Sequence, residues 1–377
     1  MPQFLRYRRA AVRDLAWLVL DGALALPAAT QPLATVGLTA AERAEFLDLL
    51  QKWDAAADDA WLGAVDPRLR LGLYSERLIG AWLSQCRQVR LLAMNWPLRA
   101  NRITLGEADF LVERRIDGID QRQLWETACK FYLGVPDRGW LGPGLNDSLA
   151  AKLSRVRGHQ LRLIHQAGFE AAWGNGWSAR AWMTGWLLSP ACVLDDAVPD
   201  SPLRLSSRSR IPAVWAEAGS ASLTVATRHA RERGVMQWWL LPKRRWLRPV
   251  YDDEPVPTVF AELADAAAFL NRPEQAEEGE ATAQSAAGSP SRRPAHDDGP
   301  RPLMLAGVRW LRSPDPVADA GREVRAPREA LGEAGTDCRT RQVAAEVMRL
   351  MLVPAGWSRR ALATAPPPDI NAAGGER

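Results

Sequence analysis

Cysteine and histidine are scarce in this chain of 377 residues, which contains four of each. The cysteines are scattered and form no CxxC pair, which argues against a zinc knuckle and against a disulfide framework. The histidines form no HExxH or HxH cluster, so the sequence lacks the metal-binding helix of zinc proteases. Dispersed thiols are typical of proteins in a reducing compartment, and we predict a cytoplasmic location.

Long apolar runs are missing as well. The stretch LAWLVLDGALALPAA, residues 15–29, is preceded by Arg13 and Asp14 and interrupted by Asp21. These charges favour a buried helix over a signal peptide, although arginines precede the stretch and small residues end it. No stretch reaches the roughly 18 apolar residues of a membrane span, so we expect no membrane partner.

Lysine is largely replaced by arginine. Only four of the 48 basic residues are lysines, namely Lys52, Lys130, Lys152 and Lys243. A lysine kept among so many arginines can mark a position that needs a compact amine, because the guanidinium fork cannot replace it. Chance is the alternative explanation for any one of them. The net charge of +4 and the pI of about 9.1 are compatible with a nucleic-acid partner but do not require one.

The composition changes near residue 270. Residues 1–270 are rich in tryptophan and leucine and are predicted to form one folded domain. The segment that follows is rich in proline, glycine, alanine, serine and charge, which is typical of disorder. We therefore predict a mostly disordered tail over 271–377, with one helix at 341–353. A second small domain is the alternative.

Within the first domain, helical and strand-like periods alternate. Helical spacing predicts a helix over 71–87, and a cap at Asn146 or Asp147 begins a second helix that ends near Gly168. Strand-like runs occupy residues 89–105, 177–190 and 234–250. This order predicts an α/β fold with a mixed central sheet flanked by helices, preceded by N-terminal helices.

The stretch LGEADFLVERRIDGIDQRQLWETACKFYL alternates like a β-hairpin. The dipeptide Asp117–Gly118 is a strong turn signal. If these two residues form the loop, Asp109 lies opposite Glu126. If the loop lies one residue later, Asp109 lies opposite Ala128, with Glu126 as its diagonal neighbour.

Both two-residue loops place Asp109, Glu126 and Lys130 on one face of the hairpin, because side chains alternate with period two. A three-residue loop would break this arrangement and set Asp109 opposite Thr127. The other face is apolar and is predicted to face the core, with Trp125, Cys129, Phe131 and Leu133.

Two carboxylates and a lysine on one sheet face suit a divalent-metal site of the phosphodiesterase kind. Mg²⁺ prefers oxygen ligands and usually keeps water and substrate phosphate in its shell. Such an ion polarises the phosphate and lowers the pKa of a bound water, while a lysine stabilises the developing charge. We predict Asp109 and Glu126 as ligands of Mg²⁺ or Mn²⁺, with Lys130 as the catalytic lysine. The alternative is a solvated cross-strand ion-pair network of little energetic weight.

Other charged residues extend this prediction. Glu107 lies two residues before Asp109, and Glu76 lies on the predicted helix over 71–87, so both are predicted as auxiliary metal ligands. An exposed glutamate on the polar side of the helix is the equal alternative for Glu76. The helix near 147–167 carries a basic stripe that would bind phosphates or, equally, form a solvated face: Lys152, Arg155, His159 and Arg162.

Several blocks of the sequence carry a family resemblance. They are RDLAW at 13–17, LYSERL at 73–78, TLGEADFL at 104–111, WETACKFYL at 125–133, GPGLNDSLAAKL at 142–153 and LLPKRRWLRP at 240–249. Together they resemble the uncharacterised bacterial domain-of-unknown-function family 1853, over about residues 10–270. That family has been grouped with the PD-(D/E)xK nucleases, whose restriction-endonuclease-like fold orders a helix, a hairpin with Asp and Glu-x-Lys, a helix and a strand.

The resemblance implies a restriction-endonuclease-like core and metal-dependent nuclease chemistry. One residue departs from the nuclease pattern: the lysine expected two residues after Glu126 is replaced by Ala128. Lys130 lies about 7 Å further along the strand, on the same face. The resemblance also suggests Gln160 as the counterpart of a helical glutamine found in some nucleases of this fold.

The leading hypothesis is therefore a Mg²⁺-dependent nuclease, a hydrolase acting on DNA or RNA. A second hypothesis is a non-catalytic module on the same fold that binds nucleic acid or protein. A third is a structural protein without phosphate chemistry. Binding of Mg²⁺ or Mn²⁺ that Asp109→Ala removes would separate the first hypothesis from the second.

Overall fold

The computed structural model describes residues 3–24, 26, 33–63, 69–100, 103–194, 211–252, 256–272, 300–314 and 340–364. This part of the chain contains eight α-helices and eleven strands. The helices are α1 (Ala10–Leu20), α2 (Ala40–Ala55), α3 (Leu71–Leu83), α4 (Leu149–Gly158), α5 (Ala167–Trp173), α6 (Ala221–Glu232), α7 (Leu263–Leu270) and α8 (Trp357–Ala363). The strands are β1 (Val89–Ala100), β2 (Ile103–Ile116), β3 (Ile119–Val135), β4 (Gly139–Leu141), β5 (Trp177–Pro190), β6 (Ala213–Glu217), β7 (Gln237–Leu240), β8 (Tyr251–Asp252), β9 (Val259–Phe260), β10 (Leu303–Pro314) and β11 (Thr340–Val353).

These strands form one mixed sheet. Its order is β1-β2-β3-β5-β6-β11-β10-β7-β9, with β4 paired to β3 and β8 paired to β11. The first three strands form an antiparallel meander, and β3, β5, β6 and β11 are then parallel to one another. The predicted class, a mixed central sheet flanked by helices, is confirmed at this level.

The β2–β3 hairpin adopts the first of the two predicted registers. Ile116 pairs with Ile119, so the loop consists of Asp117 and Gly118 alone. Both loop residues have positive φ, 50° and 81°, as a two-residue turn of type I′ requires. Aspartate and glycine tolerate this left-handed conformation better than other residues, which explains why the turn forms at this dipeptide.

The two faces of the sheet are covered by different helices. On one face α1, α2 and α3 pack against the sheet in the largest apolar core. The other face is covered by α4 and a 3₁₀ helix (Gln160–His165) near β3, and by α6 and α7 near β11. In β3, Trp125 and Leu133 are buried in the first core and Cys129 and Phe131 pack against it, which confirms the predicted apolar face.

Two buried acids of the framework are fully paired with arginine. Arg349 of β11 is completely buried and donates to both oxygens of Glu346, at 2.7 and 2.8 Å, and to the carbonyl of Trp246. Arg114 of β2 donates to both oxygens of Glu42 on α2. A buried charge without a partner is strongly destabilising, so both pairings are needed for the stability of the fold. The Arg114–Glu42 pair also joins α2 to the sheet.

The folded unit extends beyond the predicted boundary at residue 270. Strands β10 and β11 belong to the sheet, and β11 lies near its centre between β6 and β10. The segment 341–353, predicted as a helix, is therefore a strand. Its residues VMRLMLV are nearly all apolar, as in a strand buried on both faces, and a short apolar run does not distinguish such a strand from a helix. The rest of the predicted tail, 273–299, 315–339 and 365–377, lies outside the described residues.

Two predicted helices are corrected in length. The helix expected over 71–87 is α3, and the helix expected up to Gly168 is α4 followed by the 3₁₀ helix. The break falls at His159, whose φ of −131° and ψ of −62° are not helical. The apolar stretch near the N-terminus begins within α1, and no helix of the described residues is long and apolar enough to cross a membrane.

Candidate active site

The site lies where β2 and β3 diverge. Their antiparallel ladder ends at Phe110 and Trp125, after which β2 continues beside β1 and β3 continues beside β5. The carboxylate of Asp109 occupies the point of divergence. Its Oδ2 accepts from the backbone N–H of Thr127 at 2.7 Å and from the Thr127 hydroxyl at 3.0 Å. The side chain of Asp109 thus satisfies a backbone donor that β2 no longer pairs.

The side chain of Asp109 points towards β3, because the alternation of side chains between the two faces of the sheet is interrupted at this residue of β2. Ala108 packs in the apolar cluster on the α4 side of the sheet, whereas Phe110 packs in the core on the α3 side. Residues two apart normally share a face, so the strand turns about its axis between them. Irregularities of this kind are common beside active sites, where they redirect a side chain.

Glu126 lies next to Asp109 and is almost completely buried, with 2% of its surface exposed. Its Oε1 accepts a hydrogen bond from the Lys152 ammonium at 3.2 Å and another from the Gln160 amide. Its Oε2 is buried and has no hydrogen-bond partner among the residues that the structure describes. A buried carboxylate oxygen without a partner is unfavourable, and its presence in a native fold requires an explanation.

Lys152 is brought to Glu126 by α4. Ser148 caps this helix by accepting from the N–H of Ala151 at 3.1 Å, and Lys152 follows in the first turn. The Lys152 ammonium also donates to Gln160 Oε1 at 3.0 Å, so lysine, glutamine and Glu126 form a closed triangle of hydrogen bonds. With a side chain only 15% exposed, Lys152 points into the protein and not into solvent.

Glu76 of α3 belongs to the same cluster, on the other side of the sheet. Burial raises the pKa of Glu76 to about 7, helped by the charges of Asp109 and Glu107 and opposed by Lys152. Charges act on a pKa in this way only over short range, so Glu76 lies in the neighbourhood of Asp109 and Glu107. The role of Glu76 and Glu107 as auxiliary metal ligands stays a prediction.

The carboxylate pair itself resists ionisation. Burial and the Asp109 charge raise the pKa of Glu126 to about 8, and Lys152 offsets only part of this increase. Burial also raises the pKa of Asp109, although its hydrogen bonds from Thr127 and the nearby Lys152 act in the opposite direction. Perturbed carboxylates in one cluster are typical of functional sites.

Lys130, the predicted catalytic lysine, is not brought to these carboxylates. Its ammonium donates to Asp147 Oδ2 at 3.0 Å, in the loop that leads into α4, and both side chains are partly exposed. A pair of this kind contributes at most about 1 kcal/mol to stability. The lysine beside Glu126 is Lys152, which the sequence had suggested as a phosphate-binding residue.

The predicted basic stripe is divided by the break at His159. Arg155, His159 and Arg162 are exposed, as an interface with phosphates requires, but Lys152 is turned towards Glu126. Arg155 lies on α4, whereas Arg162 lies on the 3₁₀ helix, so the stripe does not follow one helix face. Of the exposed members, His159 lies against β2 near the site, since its imidazole is 3.3 Å from the position that a Cβ would occupy at Gly106.

The residues of the site meet some of the requirements for binding a divalent cation. No group of three His, Cys, Asp or Glu side chains among the described residues forms a complete metal-binding set. Mg²⁺, however, is commonly held by one or two carboxylates and completes its shell with water and substrate phosphate. The unpartnered Oε2 of Glu126, beside Asp109, supplies an oxygen of the required kind. Asp109 and Glu126 would hold the ion.

Comparison with known families places the chain. The sequence profile of a family described as "Domain of unknown function (DUF1853)" matches residues 13–289. The chain belongs to the DUF1853 family. The DUF1853 match includes the candidate site but ends before β10 and β11. Comparisons with curated proteins and with solved structures found no match.

The contact between Lys152 and Glu126 was missed by sequence reasoning, although two signals were available. Lysine is rare in this chain, so Lys152 was as notable as Lys130. Gln160, noted as a potential counterpart of a helical glutamine, does contact Glu126. The direction of the two side chains depends on how α4 and the 3₁₀ helix pack on the sheet, which no local pattern reveals.

Proposed function

We propose that this DUF1853 protein is a metal-dependent phosphodiesterase that cleaves DNA or RNA. The environment of Glu126 carries the proposal. This buried carboxylate accepts hydrogen bonds from Lys152 and Gln160 on one oxygen and lies beside Asp109. Its other oxygen has no partner within the described part of the chain. Two carboxylates, an amine and raised pKa values in one place are the elements of metal-assisted phosphate chemistry.

The side chains divide the work as follows. Asp109 and Glu126 would hold Mg²⁺ or Mn²⁺, which when bound supplies Lewis acidity and a water of lowered pKa. Lys152, 3.2 Å from Glu126, stabilises negative charge that develops on the phosphate next to that carboxylate. Gln160 fixes the orientation of the Glu126 carboxylate through its amide. Glu76 and Glu107 serve as auxiliary acids around the pair.

In this proposal Lys152 takes the place of the lysine that is missing at position 128. The nuclease pattern needs an ammonium beside the glutamate, whichever element supplies it. Ala128 cannot provide one, and Lys130 is engaged with Asp147. Lys152 reaches the same carboxylate from α4, which supports a site whose lysine has moved from the strand to the helix.

A non-catalytic nucleic-acid-binding protein on the same fold is the second candidate. The Lys152–Glu126 ion pair favours it, because an ammonium beside a buried carboxylate can replace a metal ion. In that case the exposed Arg155 and Arg162 still bind phosphates, but no bond is cleaved.

The decisive experiment measures metal binding and cleavage together. Calorimetry with Mn²⁺ is combined with cleavage of labelled single- and double-stranded DNA and RNA in Mg²⁺, Mn²⁺ or EDTA. We expect wild type to bind the ion and to cleave only when it is present, and Glu126→Gln to lose both. Asp120→Asn, an exposed acid on the same hairpin, is the matched control and should behave as wild type.

Two results would contradict the enzyme proposal. One is unchanged Mn²⁺ binding by Glu126→Gln, which would place the ion elsewhere. The other is the absence of metal-dependent cleavage of all four substrates by wild type, which would leave the binding protein as the better description.

A further inference from the structure

The carboxylate of Asp109 is held by one residue of the neighbouring strand. Thr127 donates to Asp109 Oδ2 twice, from its backbone N–H at 2.7 Å and from its hydroxyl at 3.0 Å. Among the residues described by the structure, none donates a hydrogen bond to the other oxygen, Oδ1. Thr127 is buried, and its β-branched side chain is restricted at χ1, so the hydroxyl keeps its direction. The orientation of the Asp109 carboxylate therefore depends on Thr127.

The second carboxylate of the site shows the same division between its two oxygens. Glu126 directly precedes Thr127 in β3, and its Oε1 accepts from Lys152 and from Gln160. Its Oε2 has no hydrogen-bond partner in the ranges that the structure describes. In each of the two acids, one oxygen thus accepts two hydrogen bonds from the protein and the other oxygen is left for a ligand.

We propose that Thr127 is a positioning residue that restricts Asp109 to binding a metal ion through one oxygen, so that the site selects Mg²⁺ or Mn²⁺ over Ca²⁺. The inference rests on the proposed function and specifies its metal. Ca²⁺ takes about six to eight oxygen ligands and often uses both oxygens of a carboxylate. Mg²⁺ requires octahedral geometry and keeps several waters beside one or two carboxylates. Mn²⁺ accepts the same octahedral set of oxygens.

Binding through both oxygens conflicts with the hydrogen bonds that hold each acid. If Asp109 used Oδ2 for a metal ion, the N–H and the hydroxyl of Thr127 would lose their acceptor inside the protein. Buried donors without an acceptor are costly, so this mode of binding is disfavoured. A metal ion that needs only one oxygen from each acid leaves all of these bonds in place. The hydrogen bonds from Thr127 therefore favour the smaller, octahedral ion.

The test is calorimetry of the metal-free protein with Mn²⁺ and, separately, with Ca²⁺, without nucleic acid. We expect wild type to bind Mn²⁺ at least about tenfold more tightly than Ca²⁺. Thr127→Val keeps the shape of the side chain and the backbone N–H but removes the hydroxyl. It should weaken Mn²⁺ binding about tenfold, as the loss of a hydrogen bond to a metal ligand commonly does. Ca²⁺ binding should weaken less, because Asp109 Oδ2 is then held by one bond only, and the preference for Mn²⁺ narrows.

Further substitutions make the comparison specific. Thr184→Val is the matched control: Thr184 is buried on the adjacent strand β5, and its hydroxyl donates to the carbonyl of Ala128 and not to a carboxylate. It should leave both affinities unchanged. Thr127→Ser keeps the hydroxyl and should restore the wild-type affinity for Mn²⁺ to within about threefold. Thr127→Ala repeats the loss of the hydroxyl with a smaller side chain, and thermal unfolding checks that each variant folds.

Several outcomes overturn the inference: wild-type Mn²⁺ affinity in Thr127→Val and Thr127→Ala, equal losses in Thr127→Val and Thr184→Val, or tighter binding of Ca²⁺ than of Mn²⁺ by wild type. If Glu126→Gln abolishes Mn²⁺ binding and Thr127→Val does not alter it, the proposed metal site stands and only the role of Thr127 is rejected. The expected losses without cleavage of any nucleic acid would support the role of Thr127 and reject the nuclease. Absence of Mn²⁺ binding by wild type would reject both.

Discussion

Replacing Glu76 by glutamine tests the carboxylate cluster and leaves the hydrogen bonds of Asp109 and Glu126 in place. Glu76 is half-buried, and burial together with the charges of Asp109 and Glu107 raises its pKa from 4.5 to about 7. Between these two pH values the folded protein keeps a proton that the unfolded chain releases. The free energy of unfolding therefore falls as the pH rises through this window. Glutamine resembles the protonated acid and does not ionise, so the variant keeps the free energy of unfolding that wild type loses as the pH rises.

The expected magnitude follows from the size of the pKa shift. One pKa unit corresponds to about 1.36 kcal/mol, so a shift from 4.5 to about 7 costs about 3 kcal/mol once Glu76 is fully ionised. At pH 5 the cost is below about 1 kcal/mol, because the group is still protonated in the fold. Glu76→Gln should thus stabilise the protein by about 2 kcal/mol more at pH 8.5 than at pH 5. This corresponds to roughly 3 °C in Tm for a chain of this length.

Tryptophan fluorescence during heating, at pH 5 and pH 8.5 without metal, measures the difference. Glu113→Gln is the control, since Glu113 pairs with Arg90 at the surface of the same hairpin, away from the cluster. Its effect should be small and equal at both pH values. If Glu76→Gln stabilises equally at both pH values, or destabilises at pH 8.5, the pKa of Glu76 is not raised in the folded protein and the reasoning fails.

Three further predictions follow from individual contacts. Lys152→Met should lower the rate of cleavage in a nuclease assay by at least about 100-fold, and Lys130→Met by much less. The reason is that Lys152 contacts Glu126 whereas Lys130 contacts Asp147. Equal losses would refute the assignment. Removal of residues 300–377 deletes two inner strands of the sheet, so we expect no cooperative melting, and a normal melting curve would contradict this. Gly106→Ala should lower the free energy of unfolding in urea by about 1–3 kcal/mol, because Leu163 occupies the space that the new Cβ needs. Unchanged stability would show that the 3₁₀ helix shifts to make room.

The hairpin was predictable because its determinants are local. The Asp117–Gly118 turn depends on two residues that tolerate positive φ, and the register then places Asp109 next to Glu126 by counting alone. The buried face of β3 follows from the same alternation. Features set by neighbouring residues are those that a single sequence expresses most directly.

The misjudged features depend on distant partners. The direction of the Lys152 side chain is set by the packing of α4 on β3. The helical period predicts which face of α4 carries this lysine but not which part of the protein that face contacts. Strand β11 pairs with β6, more than a hundred residues earlier, and with β10. Its apolar run fits a buried helix as well as a central strand, so only the sheet around it decides.

The type of basic residue that pairs with the buried acid distinguishes the site from the structural acids of the same fold. Glu42 and Glu346, which are buried and structural, each accept from both arms of an arginine, so both carboxylate oxygens are used. Glu126 is paired with a lysine in a chain that otherwise prefers arginine. The ammonium bonds to Oε1, and Oε2 is buried with no partner in the described ranges. An arginine fork would have occupied both oxygens. Pairing with Lys152 therefore uses one carboxylate oxygen and leaves the other, which is the oxygen that the proposed metal ion would take.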